Sequence, residues 1–96
     1  MNRTDLAALQ TFVAIAERGS LRAAARLLGV NPPAVSAQLK AFEDRLGTPL
    51  ILRSTRSLAL TEAGRALYEG SHHLLGGLDE AMSLVRNASG STTGVL

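Results

Sequence analysis

With 96 residues, 46% of them hydrophobic, the chain has room for one small globular domain and a single core. It contains no cysteine, which excludes disulfides and thiolate metal sites, so packing alone must hold that core, as suits a reducing cytosol. The net charge of +2 says little until it is mapped along the chain: through Arg56 eight basic residues face four acidic ones, whereas from Ser57 onward two face four. A polyanion would favour the first part. No apolar run approaches the ~20 residues needed to span a bilayer. The N-terminus, Met1-Asn2-Arg3-Thr4-Asp5, leads into an amphipathic segment rather than a signal peptide. The expectation is a soluble cytoplasmic protein.

Leu6, Leu9, Phe12, Val13 and Ala16 recur at helical spacing, which predicts a first helix opening after Thr4 as N-cap and closing at Gly19. Ser20 caps a shorter second helix whose apolar face is Leu21, Ala24, Ala25 and Leu28, with Gly29 placed to end it in a left-handed conformation. Asn31 caps a third. Pro32 and Pro33 lack N–H groups, which the first turn of a helix does not need, so they fix where that helix starts. Its apolar residues Val35, Leu39, Phe42 and Leu46 share one arc and Gly47 stops it, leaving Pro33, Ala37, Lys40 and Asp44 opposite. Beyond Gly47 the helical period fails. Pro49 to Leu52 and Leu58 to Leu60 are short apolar runs around the polar stretch 53–57, which predicts a small hairpin, a wing.

Thr61 begins a last helix with Glu62 in its first turn, where a negative charge suits the helix dipole. Leu67, Leu74, Leu75, Leu78, Met82 and Val85 supply an apolar stripe to about residue 88, followed by a polar, flexible linker over 89–96. The apolar pair Val95-Leu96 that ends this stretch reads as the approach to a further domain. Gly70, Gly76 and Gly77 each cost about 1 kcal/mol against alanine, to be offset by packing against a partner or expressed as a kink; the pattern leaves both open. The adjacent His72 and His73 point to different helix faces, unlike an i, i+4 chelating pair, and read as surface residues.

The functional motif lies in 21–40: a short helix, a tight turn, and a helix with a fixed start. Ala25 is small where the helices cross, Gly29 sits in the turn, and Val35 anchors the second helix. A helical corner in a bundle rarely needs all three, so the motif points to a helix-turn-helix for DNA. The fold class expected is mainly α: a winged helix-turn-helix of three helices and a hairpin over 4–61, then a long dimerisation helix over 62–88.

The sequence also resembles the LysR-type transcriptional regulators over Leu6 to about Ala88. The blocks that carry the resemblance are Phe12 to Glu17 with Gly19-Ser20; Ala24-Ala25 with Leu28 and Val30; Pro33 to Ser36 with Gln38; Glu43 with Leu46-Gly47 and Pro49-Leu50; and Leu60 to Gly64. The resemblance implies a dimeric bacterial regulator whose third helix enters the major groove and whose wing reaches the neighbouring minor groove. It also implies that the long helix leads to an effector-sensing domain. Three departures stand out: Pro32 where members often carry glutamine, Ala37 where they often carry arginine, and Ile51 where phenylalanine is usual.

The candidate DNA contacts are Asn31, Pro32, Pro33, Ser36, Ala37 and Lys40 around the third helix, Arg53 and Arg56 on the wing, and Arg22 on the second helix. Arg26 reads equally well as part of a solvated face. The candidate dimer contacts are Leu74, Leu75, Leu78, Met82 and Val85. The expected partners are a roughly palindromic double-stranded operator and a second copy, or a higher oligomer in the intact protein. A small-molecule effector would act only through a domain outside this chain. No cofactor, metal or membrane is expected, and the regulator would associate with the nucleoid. The alternative is a winged-helix module that holds other proteins without DNA. An enzyme is remoter, since no nucleophile, base and orienting group converge and no phosphate-cradling loop is present.

Overall fold

The computed structural model describes residues 2–53 and 57–92. Helix α1 spans Arg3–Arg18, α2 Leu21–Leu28 and α3 Pro32–Leu46; strands β1 (Ile51–Arg53) and β2 (Leu58–Leu60) form an antiparallel hairpin; α4 runs from Glu62 to Thr92. Each of the first three helices starts on a side-chain oxygen that accepts an otherwise unpaired backbone N–H. Asn2 accepts from Asp5 at 2.8 Å, Ser20 from Ala23 at 2.9 Å and Asn31 from Ala34 at 2.8 Å. The cap of α1 is thus Asn2, not Thr4, because the Asn2 amide already reaches the N–H three residues on and carries Thr4 into the first turn.

The three helices enclose one core, in which Phe12, Ile15, Ala24, Ala25, Val35 and Leu39 are almost fully buried and Leu50 seals the side toward the hairpin. Two leucines expected there are exposed: Leu28 and Leu46. Each is the last residue of its helix and projects beyond the zone where the helices cross. In the turn between α2 and α3, Gly29 has φ +73°, a left-handed conformation that a side chain would strain, and the Val30 N–H then reaches the Ala25 carbonyl at 3.0 Å.

The hairpin is held from both sides of the chain. Glu43, on α3, accepts the Leu50 and Ile51 N–H groups at 2.7 and 3.2 Å. Thr61 donates to the Pro49 carbonyl at 2.8 Å and accepts the Gly64 N–H at 2.9 Å, so one hydroxyl both caps α4 and ties it to the strand entry. Gly64 passes so close to Leu50 that a Cβ built there would collide with the Leu50 carbonyl. Register pairs Ile51 with Leu60, Leu52 with Ala59 and Arg53 with Leu58.

The base of α4 lies on the core through Ala63, Leu67, Tyr68 and Leu75. Thereafter the helix leaves the domain. Its 31 residues make a rod of about 46 Å, which gives the molecule its 56 Å long axis. The helix passes unbroken through Gly76-Gly77 and continues to Thr92, so residues 89–92, read from sequence as linker, are helical. Extending an existing helix adds a hydrogen bond per residue with no new nucleation, which lets Ser89, Gly90, Ser91 and Thr92 follow despite poor propensity. Among the described residues no helix is long and apolar enough to cross a membrane.

Candidate nucleic-acid interface

Since α3 buries Val35, Leu39 and Phe42, the opposite arc at about 100° per residue is set by geometry: Pro33, Ala37 and Asp44 along its centre, with Lys40 and Ala41 to either side. All five are exposed, as are Pro32 and Ala34 in the first turn. The two prolines occupy the first and second helical positions, where the sequence placed them.

The polar side chains of α3 and its cap are engaged within the protein. Asn31 caps the helix. Ser36, half-buried, accepts from the Arg53 guanidinium at 3.0 Å, so two candidate residues from different elements meet and the hairpin is tied to α3. Gln38 faces α1, 2.7 Å from the buried Thr11 hydroxyl. Glu43 holds the strand entry, and Arg45 lies over the Phe42 ring with its guanidinium 3.3 Å from Asp5. Lys40 pairs with Asp44 one turn later at 3.2 Å, both largely in water. An exposed i, i+4 pair of this kind contributes about 0.5 kcal/mol at most, so Lys40 is easily recruited by a stronger anion.

Arg22, in the first turn of α2, and Arg26, one turn on, are exposed and make no ion pair among the described residues. Arg56 lies outside the described residues. The apolar stripe of α4 divides. Leu75 is half-buried against the domain's own core, on the face turned toward α1 and α2. Leu74, Leu78, Met82 and Val85 are exposed, with Val85 at 69%. Leu84, not singled out in the sequence, is exposed at 65%.

Where α1 and α4 meet, Glu17 joins two α4 side chains. The Tyr68 hydroxyl donates to its carboxylate at 3.3 Å, and His72 Nδ1 lies 3.2 Å from the same oxygen and stacks on the Tyr68 ring. His72 is therefore a packing residue as well as a surface one. Desolvation first, then the Glu17 carboxylate, push the Tyr68 phenol above its ordinary value. Sequence reasoning also missed the Thr11–Gln38 link and the Glu43 strand clamp. The signal for the first was a lone hydroxyl inside an otherwise apolar stripe; the second joins residues too far apart for periodicity to register.

A helix-turn-helix that presents the first turns of its second helix to solvent, beside a hairpin bearing arginine, defines a winged-helix DNA-binding domain. Residues 6–65 match the family described as "Bacterial regulatory helix-turn-helix protein, lysR family". The chain is 41% identical over its full length to the HTH-type transcriptional regulator PtxR of Pseudomonas aeruginosa, of which it covers 31%. It is 39% identical over 92 residues, 96% of its length, to the HTH-type transcriptional regulator BudR of Klebsiella aerogenes, covering 64% of that protein. Among solved structures it resembles the BenM_DBD in complex with catB site 1 DNA, with a TM-score of 0.79 and 30% identity over 93% of this chain and 97% of that one. The chain belongs to the LysR family of bacterial regulatory helix-turn-helix proteins and carries that family's DNA-binding domain. The relatives are transcriptional regulators, not enzymes. The chain spans less than two thirds of the length of either relative.

Proposed function

We propose that the chain binds a specific duplex with α3 in the major groove and the hairpin at the adjoining groove, and that it regulates transcription as a dimer joined through the outer half of α4. The observation that carries this reading is the outward face of α3, whose core-facing side is fully committed while its first turns stand clear, with Arg53 held at Ser36 and Arg22 and Arg26 exposed on the preceding helix of the motif. Asn31, Pro32, Pro33, Ser36, Ala37 and Lys40 form the groove-facing surface, and Arg22, Arg53 and Arg56 supply phosphate or minor-groove contacts. Leu74, Leu78, Met82 and Val85 are the side chains a second copy would cover. Residues 4–61 act as the DNA-binding unit and 62–88 as the pairing helix. A small-molecule effector would be sensed by a part of the regulator outside this chain, and the intact regulator would be found with the nucleoid in the cytoplasm. Resemblance to a domain solved on DNA supports the first half of this reading; the exposed apolar face of α4 supports the second.

Titrating duplex DNA at two salt concentrations tests it. Neutralising several phosphates releases counterions, so affinity should fall by roughly 10³ or more between 50 and 200 mM salt if about six contacts form. Binding undetectable at low salt would instead favour a winged-helix module that holds other proteins.

A further inference from the structure

The groove-facing surface of α3 has an unusual chemistry. Over its first two turns the centre of its outward arc is Pro33 and Ala37, with Pro32 and Ala34 to either side in the first turn, all exposed and none able to donate or accept through its side chain; farther along, Lys40 and Asp44 share that face and Ala41 lies at its edge. The polar neighbours have other tasks or the wrong shape: Asn31 satisfies the Ala34 N–H, Ser36 is held by Arg53, Gln38 is turned to Thr11, and Lys40, in a weak exposed pair with Asp44, offers a point charge rather than a bidentate fork. No long side chain on the first two turns is placed for the bidentate reading of guanine or adenine that arginine, asparagine or glutamine performs. What such a surface can recognise is another small apolar group. In the major groove the base pairs offer one, the C5 methyl of thymine.

Resting on the reading that α3 enters the major groove, we infer that this domain selects its site chiefly through thymine C5 methyls packed against Pro33 and Ala37, with Ala41 at the edge of the same surface. Small side chains let the helix axis sit close to the base edges, which short apolar contacts require. Each covered methyl removes apolar surface from water, and the contribution of a buried methyl-sized group corresponds to about three- to fivefold in affinity. Two or three such contacts in each of two half-sites give useful selectivity without any base-directed hydrogen bond from a long side chain. Arg53, Arg22 and Lys40 would then hold the duplex through phosphate and set register rather than sequence.

The experiment starts from duplexes selected out of a random pool by the 96-residue chain. Each thymine is then replaced in turn by deoxyuridine, which differs only in lacking the C5 methyl, and each guanine by 7-deazaguanine, which lacks the N7 acceptor. A few thymines, in two symmetry-related clusters, should each lose about three- to fivefold on replacement, and the remaining thymines should change little. Deazaguanine should cost less than about twofold, since no bidentate donor is lost. In a protein carrying Ala37→Gly, its fold verified by circular dichroism, the deoxyuridine penalty should vanish at one thymine per half-site and persist at the others. The base-analogue series needs no protein variant, so it stands even if that glycine unfolds the helix. Deoxyuridine tolerated everywhere, or a tenfold loss at a guanine, would overturn methyl reading while leaving DNA binding intact. Failure to enrich any duplex would instead remove the reading on which this inference rests.

Discussion

The three-helix core and the outer half of α4 use the same kinds of residue to opposite ends. In the core, Phe12, Ile15, Val35 and Leu39 are covered by their own chain; on α4, Leu74, Leu78, Met82, Leu84 and Val85 lie 45–69% exposed at similar helical spacing. The difference is one of supply rather than of sequence pattern, because three short helices can surround a small core but cannot cover a rod about 46 Å long. One region completes its packing alone. The other leaves its apolar face uncovered among the described residues, and the two-fold pairing proposed above would bury the same patch on both copies.

Substitutions should separate these regions. Phe12→Ala, which empties the centre of the core, should cost about 3–5 kcal/mol in thermal or urea unfolding, a large fraction of the 5–15 kcal/mol a small domain has. A loss under about 1 kcal/mol would mean that the core is not the chain's own. Gly64→Ala should cost about 1–3 kcal/mol, because its Cβ must displace the Leu50 carbonyl and with it the strand entry. If it is neutral by the same measurement, the close approach of α4 to the hairpin is wrong. Gly76→Ala has the smallest effect and the opposite sign. Nothing lies within 4 Å of the added methyl, so in a monomeric background the helix should gain about 1 kcal/mol, read by circular dichroism melting of α4. A loss there would place Gly76 against its own domain.

Much of this division was legible in the sequence. The prolines at 32 and 33 located the start of α3, and the spacing Val35, Leu39, Phe42 identified its buried face, because both signals are local and repeat with the helix. The glycine at 29 marked the turn for the same reason. The hairpin was visible as a break in period, but its anchoring was not: Glu43 and Thr61 act on backbone groups of residues 49–51, and periodicity carries no information about such pairings. That Leu75 also packs on the core was not visible, because spacing says which residues lie on one face of a helix but not where the domain beneath that face ends. The engagement of Ser36 by Arg53 and of Gln38 by Thr11, which leaves the first two turns of α3 with an apolar outward surface, required three-dimensional placement.

If the three-helix core folds alone and the outer half of α4 is completed by a second copy, a pair of α3 helices meets one duplex. Sedimentation of the chain with and without a selected duplex, repeated with Leu78→Glu and Met82→Glu together, tests it most directly. The wild-type chain should be a dimer that binds one duplex with two chains, and the double variant should keep its helical spectrum but sediment as a monomer and bind far more weakly, since charge placed in a shared apolar patch loses its solvation. A wild-type chain that is monomeric at high concentration and saturates a duplex one to one, or a double variant that remains dimeric, would contradict it.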